Sequence, residues 1–90
     1  MQLRTKQGRL TRYGLACGYR EKTVYGAGYS HRVVILEMEH HVITVRTWVW
    51  DTCTRWQRSV ATVRKARRLY AAKCKELKNY VTDHHTQNRP

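Results

Sequence analysis

The spacing of apolar residues changes along the chain. Over 10–20 it alternates, with Tyr13, Leu15, Cys17 and Tyr19 on one side and Arg12, Gly14, Ala16, Gly18 and Arg20 on the other. A period of two predicts a strand with one buried face. The opposite face is small and flat with an arginine near each end, a shape that lets another backbone come close. Residues 20–23 read as a turn. Residues 23–30, with Tyr25-Gly26-Ala27-Gly28-Tyr29, read as a broken strand or a glycine-rich loop. No Gly-Lys-Ser/Thr follows, so this is not a P-loop. Val33-Val34-Ile35-Leu36 makes 31–38 a strand apolar on both faces, which suits a central position. Glu39-His40-His41 turns the chain. Over 42–50 the alternation returns, with Ile43, Val45, Thr47 and Val49 opposed to Val42, Thr44, Arg46, Trp48 and Trp50.

A helical period follows. Trp56, Val60, Val63, Tyr70, Cys74, Leu77 and Val81 recur at steps of three, four or seven, the stripe of an amphipathic helix. Asp51, Thr52 and Thr54 are candidate N-caps, and Thr54 with Gln57 fits a capping box. A helix is expected from about 53 to 81, roughly 40 Å long at 1.5 Å per residue. The expected fold is α+β: a small antiparallel sheet of three to four strands, followed by one long C-terminal amphipathic helix packed on one sheet face. The core expected for it comprises Tyr13, Leu15, Tyr19, Leu36, Ile43, Val45, Trp56, Val60, Val63, Tyr70 and Leu77. Residues 1–9 read as a basic flexible arm, 10–81 as the single domain and 82–90 as a disordered tail.

Charge narrows the function classes. Eighteen lysines and arginines face six acids over 90 residues, a formal net charge of +12. Such a field attracts polyanions. The expected partner is nucleic acid, DNA or RNA, with an acidic protein as the alternative and a homodimer left open. No stretch has the roughly 18–20 apolar residues of a membrane span, and the first residues lack a secretory apolar run, so a cytoplasmic location is expected. Cys17, Cys53 and Cys74 are too far apart for a zinc ribbon. His31, His40-His41 and His84-His85 lack the convergent spacing of a metal site, so no metal and no cofactor is expected.

Two constellations could carry nucleic-acid contact. The first is the basic side of the helix. Between 51 and 81 there are nine lysines and arginines against two acids. Arg58, Lys65, Arg68 and Lys75, with Arg55 and Lys73, point away from the apolar stripe, while Arg64 and Lys78 flank it. A row of cations short of counter-charges suits phosphates. The second is an open sheet face bearing Arg12, Arg20, Arg46, Trp48 and Trp50, if Ile43 and Val45 pack on the helix. Arginine and tryptophan on a sheet suit base stacking or groove entry, with Arg46 and Trp48 the candidates for base contact. Enzyme activity is not expected. Its residual form is a metal-independent ribonuclease drawing on Tyr13, Tyr19, Tyr25, His31 and Arg46.

Strands leading into a packed helix resemble two nucleic-acid modules in architecture. Trp50-Asp51-Thr52 is similar to the helix entry of the three-stranded-sheet-plus-helix domain of certain plant transcription factors and integrase amino-terminal domains. That resemblance implies a sheet laid in the major groove. Arg64-Lys65-Ala66-Arg67-Arg68 is loosely similar to the basic last helix of double-stranded-RNA-binding domains, although residues 1–10 offer no counterpart of that module's first helix. Both resemblances span roughly 10–80 and neither amounts to family membership. The alternative function is a small accessory or inhibitor protein, of viral or mobile-element type, that binds another protein through an exposed Val/Ile/Trp patch.

Overall fold

In the computed structural model, the backbone is described for residues 2–87 and the side chains for 2–79. A short helix, α1 (Arg12–Ala16), is followed by strands β1 (Glu21–Tyr25), β2 (Arg32–Glu39), β3 (Val42–Val49) and β4 (Thr54–Val60), and then by α2 (Val63–Gln87). The strands form one antiparallel meander in the order β1-β2-β3-β4. A four-stranded sheet with a C-terminal helix packed on β2 and β3 makes this an α+β fold.

Register assigns the faces. Leu36 lies opposite Glu21 and Val45, Val34 opposite Thr23 and Thr47, and Ile43 opposite Met38 and Val60. Val34, Leu36, Ile43, Val45 and Val49 are buried there beneath α2, which contributes Ala66, Tyr70 and Leu77. Leu10 and Leu15 complete this core from the α1 region. Both helices therefore cover one side of the sheet. The other side carries Val24, Val33, Trp48 and Arg55 in one row, and Lys22, Ile35, Arg46 and Gln57 in the next.

Three expectations are corrected. Residues 10–20 are not a strand. Thr11 caps α1, accepting the Gly14 N–H at 3.1 Å, and Gly18 at φ +96° supplies the left-handed position that ends it. Tyr13 and Tyr19 are consequently exposed, and only Leu15 of that set is core. The expected turn at 20–23 is instead the entry into β1. Finally, the helix does not begin near Cys53, because 54–60 form β4. Trp56 and Val60 reach the core edge from that strand, and the helix starts after Thr62, whose hydroxyl accepts the Lys65 N–H at 3.1 Å. Spacings of four and three between Trp56, Val60 and Val63 had mimicked one continuous helical stripe.

The segment before α1 folds back on itself. Arg4 bridges to Leu10, the Thr11 N–H donates to the Leu3 carbonyl at 3.0 Å, and a Cβ at Gly14 would collide with that carbonyl oxygen. The helix backbone continues to Gln87, past the expected limit of 81. The side chains of the expected tail, 82–90, lie outside the described residues, as do those of His84 and His85.

Candidate nucleic-acid interface

On α2 the cations divide by direction. Arg64, Lys65, Arg68, Lys75 and Lys78 are exposed. At 100° per residue Arg64, Arg68 and Lys75 fall within about 40° of one another, on the side away from Ala66, Tyr70 and Leu77. They stand about 6 and 10 Å apart along the axis, with exposed Ala71 and Ala72 between them. Among the described residues none of these five cations makes a salt bridge. The acid on this stretch, Glu76, holds Lys73 at 3.0 Å.

Other cations of the 51–81 span hold structure. Arg67 donates to the Leu10 carbonyl at 2.6 Å, tying α2 to the chain before α1. Lys73 lies 3.8 Å from the centre of the Trp56 ring, and Arg58 lies 5.4 Å from the same ring. Arg58 belongs to β4 rather than to the helix, and so does Arg55.

The open sheet face brings together Arg46, Trp48, Trp50 and Arg55. Trp50 follows β3 in the turn to β4 and is about half exposed. It meets Trp48 edge-on, with ring centres 6.2 Å apart at 76°. The Arg55 guanidinium sits 5.2 Å over Trp48. With Val33 and Ile35 these side chains line a shallow groove of about 560 Å³. Arg46 is flanked by acids of its own face, Glu37 at 3.3 Å and Glu39 in a closer pair. That pairing offsets its charge locally, so this face of the sheet carries both signs.

Arg12 and Arg20 do not join this face as expected. Arg12 opens α1, among elements on the covered side, and is exposed. Arg20 precedes β1 and lies with Arg4, Arg9 and Lys22 around a second depression at the β1 edge. From sequence, Arg4 and Arg9 fell within the basic arm of residues 1–9 without being singled out, and Lys22 went unremarked. A visible signal for Lys22 was the alternation of Glu21, Thr23 and Tyr25 against Lys22 and Val24.

Two buried polar side chains brace the covered side. Arg32 is 6% exposed. It donates to the carbonyls of Leu77 and Ser30, the latter at 2.8 Å, and lies over the Tyr25 ring. The Tyr70 hydroxyl shares a 2.6 Å hydrogen bond with Thr23. Burial pushes the Tyr70 phenol above its ordinary pKa; the Thr23 bond opposes that shift, while Cys74 and Glu21 reinforce it. The ribonuclease side chains are divided, since Tyr25 faces α2 and Arg46 faces the open side. No group of three or more metal-ligating side chains occurs among the described residues. Among the described residues no helix is long and apolar enough to cross a membrane. Comparison with protein-family models, with curated proteins and with solved structures found no match.

Proposed function

We propose that this chain binds nucleic acid, DNA or RNA, by laying the outer side of α2 against phosphates. The observation that carries the reading is the line of exposed Arg64, Arg68 and Lys75, with Lys65 and Lys78 beside it, bearing no ion pairs among the described residues. Solvated helix faces ordinarily mix signs into pairs three or four residues apart. A one-signed line gains instead from a ligand whose condensed counterions it displaces. Trp48 with Arg55 over it offers a stacking platform for an unpaired base on the opposite side of the sheet. The role proposed is binding, not catalysis.

Fluorescence anisotropy with labelled DNA duplex, single-stranded DNA and single-stranded RNA tests this. Affinity is expected to fall steeply as salt rises. Arg64→Glu combined with Arg68→Glu should weaken binding at least about tenfold for every sequence and flatten the salt dependence. Equal affinity in the double variant and the parent protein would overturn the reading.

A second reading rests on the open face. Val24, Val42 and Trp50 are exposed there beside both acids and bases, a composition that suits a protein partner better than a polyanion. An accessory or inhibitor protein docking through this face becomes the function if nucleic-acid binding is absent at low salt and Trp50→Glu removes capture of a protein partner.

A further inference from the structure

The β1 edge carries a second concentration of charge, separate from the line on α2. Arg4, Arg9, Arg20 and Lys22 surround a depression of about 480 Å³ whose wall includes Thr23 and Tyr70. Glu21 is the acid that lines it. Both of its oxygens are engaged, one by Arg9 Nε at 2.8 Å and the other by the Leu10 N–H at 3.3 Å. Arg20 and Lys22 are exposed and form no ion pair among the described residues. Arg4 donates to the Gly8 carbonyl at 2.8 Å.

Four cations around one notch repel one another, and Glu21 offsets a single charge of the four. A concave wall with a large excess of one sign focuses the field and raises the local concentration of anions. Arg9 is preorganised, because Glu21 grips its Nε and its guanidinium lies 5.9 Å from the Tyr70 ring centre. Donors from Arg4 beside the 5–8 turn, from Arg20, and from Lys22 reaching round the β1 edge from the open side suit a ligand with several oxygens and more than one charge. Phosphate meets that description better than a carboxylate, which presents two oxygens in a plane.

We propose that this notch is a phosphate-binding site in which Arg20 and Lys22 close on a phosphate group beside a fixed Arg9. The inference deepens the nucleic-acid reading and rests on it for its natural ligand. The notch adjoins α2 through Tyr70, one turn from Arg67. A chain-terminal phosphate and a backbone phosphodiester share the chemistry.

Thermal melting of the full chain in inorganic phosphate, against sodium chloride at matched ionic strength, is the direct test. A saturable rise in Tm with phosphate is expected, and it should vanish in Arg20→Glu/Lys22→Glu and shrink in Arg20→Gln/Lys22→Gln. Arg64→Glu/Arg68→Glu should keep the rise. No rise beyond chloride, or a rise that survives in Arg20→Glu/Lys22→Glu, overturns the site. Loss of the rise in the α2 variant also overturns it, since net charge alone would then explain the effect. An oligonucleotide is then compared with and without a 5′-phosphate. Tighter binding of the phosphorylated form assigns the notch to a chain end. Equal binding, weakened in both cases by Arg20→Glu/Lys22→Glu, assigns it to the backbone. Should phosphate act as expected while no oligonucleotide binds at low salt, the notch stands and the nucleic-acid reading falls. Oligonucleotide binding without a phosphate response sinks the notch alone.

Discussion

At the scale of single residues, Arg32 joins the two layers. A buried cation is stable only when its donors are satisfied, and here backbone carbonyls rather than acids satisfy them. Replacing Arg32 with Met removes those charge-assisted bonds and the contact with Tyr25. The expected cost is about 1.5–3 kcal/mol, read as a lower urea midpoint. Arg32→Lys should recover only part of it, because an ammonium cannot reproduce the planar fork. Tyr70 makes a pH-dependent prediction. Its phenol is raised in the folded state, so the folded chain holds that proton more tightly than the unfolded chain does. Its contribution is intact below the unfolded tyrosine pKa, about 10, and is lost as pH rises through the folded value. Tm measured from pH 8 to 11 should therefore fall less steeply in Tyr70→Phe than in the parent chain. At pH 7 the same variant should be less stable by roughly 1 kcal/mol, for the lost bond to Thr23.

At the scale of elements, turns and caps set the boundaries. His40 and His41 connect β2 to β3 at φ +51° and +67°. A two-residue hairpin turn with both residues left-handed matches the twist of the strands but favours Asn-Gly. His40→Asn with His41→Gly should therefore raise stability by about 1 kcal/mol, seen in chemical denaturation. Thr62→Ala removes the hydroxyl acceptor at the start of α2 and should cost about 1 kcal/mol in the same assay. The central hairpin was legible from sequence because its strands are long, β-branched and alternating. The flanks were not. Tyr13, Leu15, Cys17 and Tyr19 alternate by chance within a segment that Thr11 and Gly18 cap as five helical residues. At β4, Thr54 and Gln57 imitate a capping box, whereas Thr62, the residue that caps α2, has Lys65 three positions on and shows no such signature. Short polar segments leave the choice between strand and helix to whatever neighbour can pair with them, and β3 pairs with 54–60.

At the scale of the molecule, the excess charge is partitioned rather than uniform. Arg32 and Arg67 tie α2 to the rest of the chain, Lys73 and Arg58 pack on Trp56, and Arg46 is offset by Glu37 and Glu39. Among the described residues, exposed cations that form no salt bridge include those on the outer side of α2 and Arg20 and Lys22 at the β1 edge. If three to five of those on α2 meet phosphates, log K against log salt should fall with a slope of roughly −3 to −4.5 on duplex DNA. Anisotropy between 50 and 300 mM salt measures it, and a slope near zero would show that the helix touches no phosphate.

Composition and period alone determined that the chain carries a large positive excess, that a central β-hairpin forms, and that an amphipathic C-terminal helix buries Tyr70 and Leu77. These properties depend on local spacing and on counting, which any stretch of chain displays. Only the tertiary structure decided that 54–60 complete a sheet, that Arg58 and Lys73 serve Trp56, and that Arg4, Arg9, Arg20 and Lys22 gather at one edge. Those outcomes depend on strand pairing and on which acid or ring comes within reach, and proximity between residues distant in sequence arises only when the chain has folded.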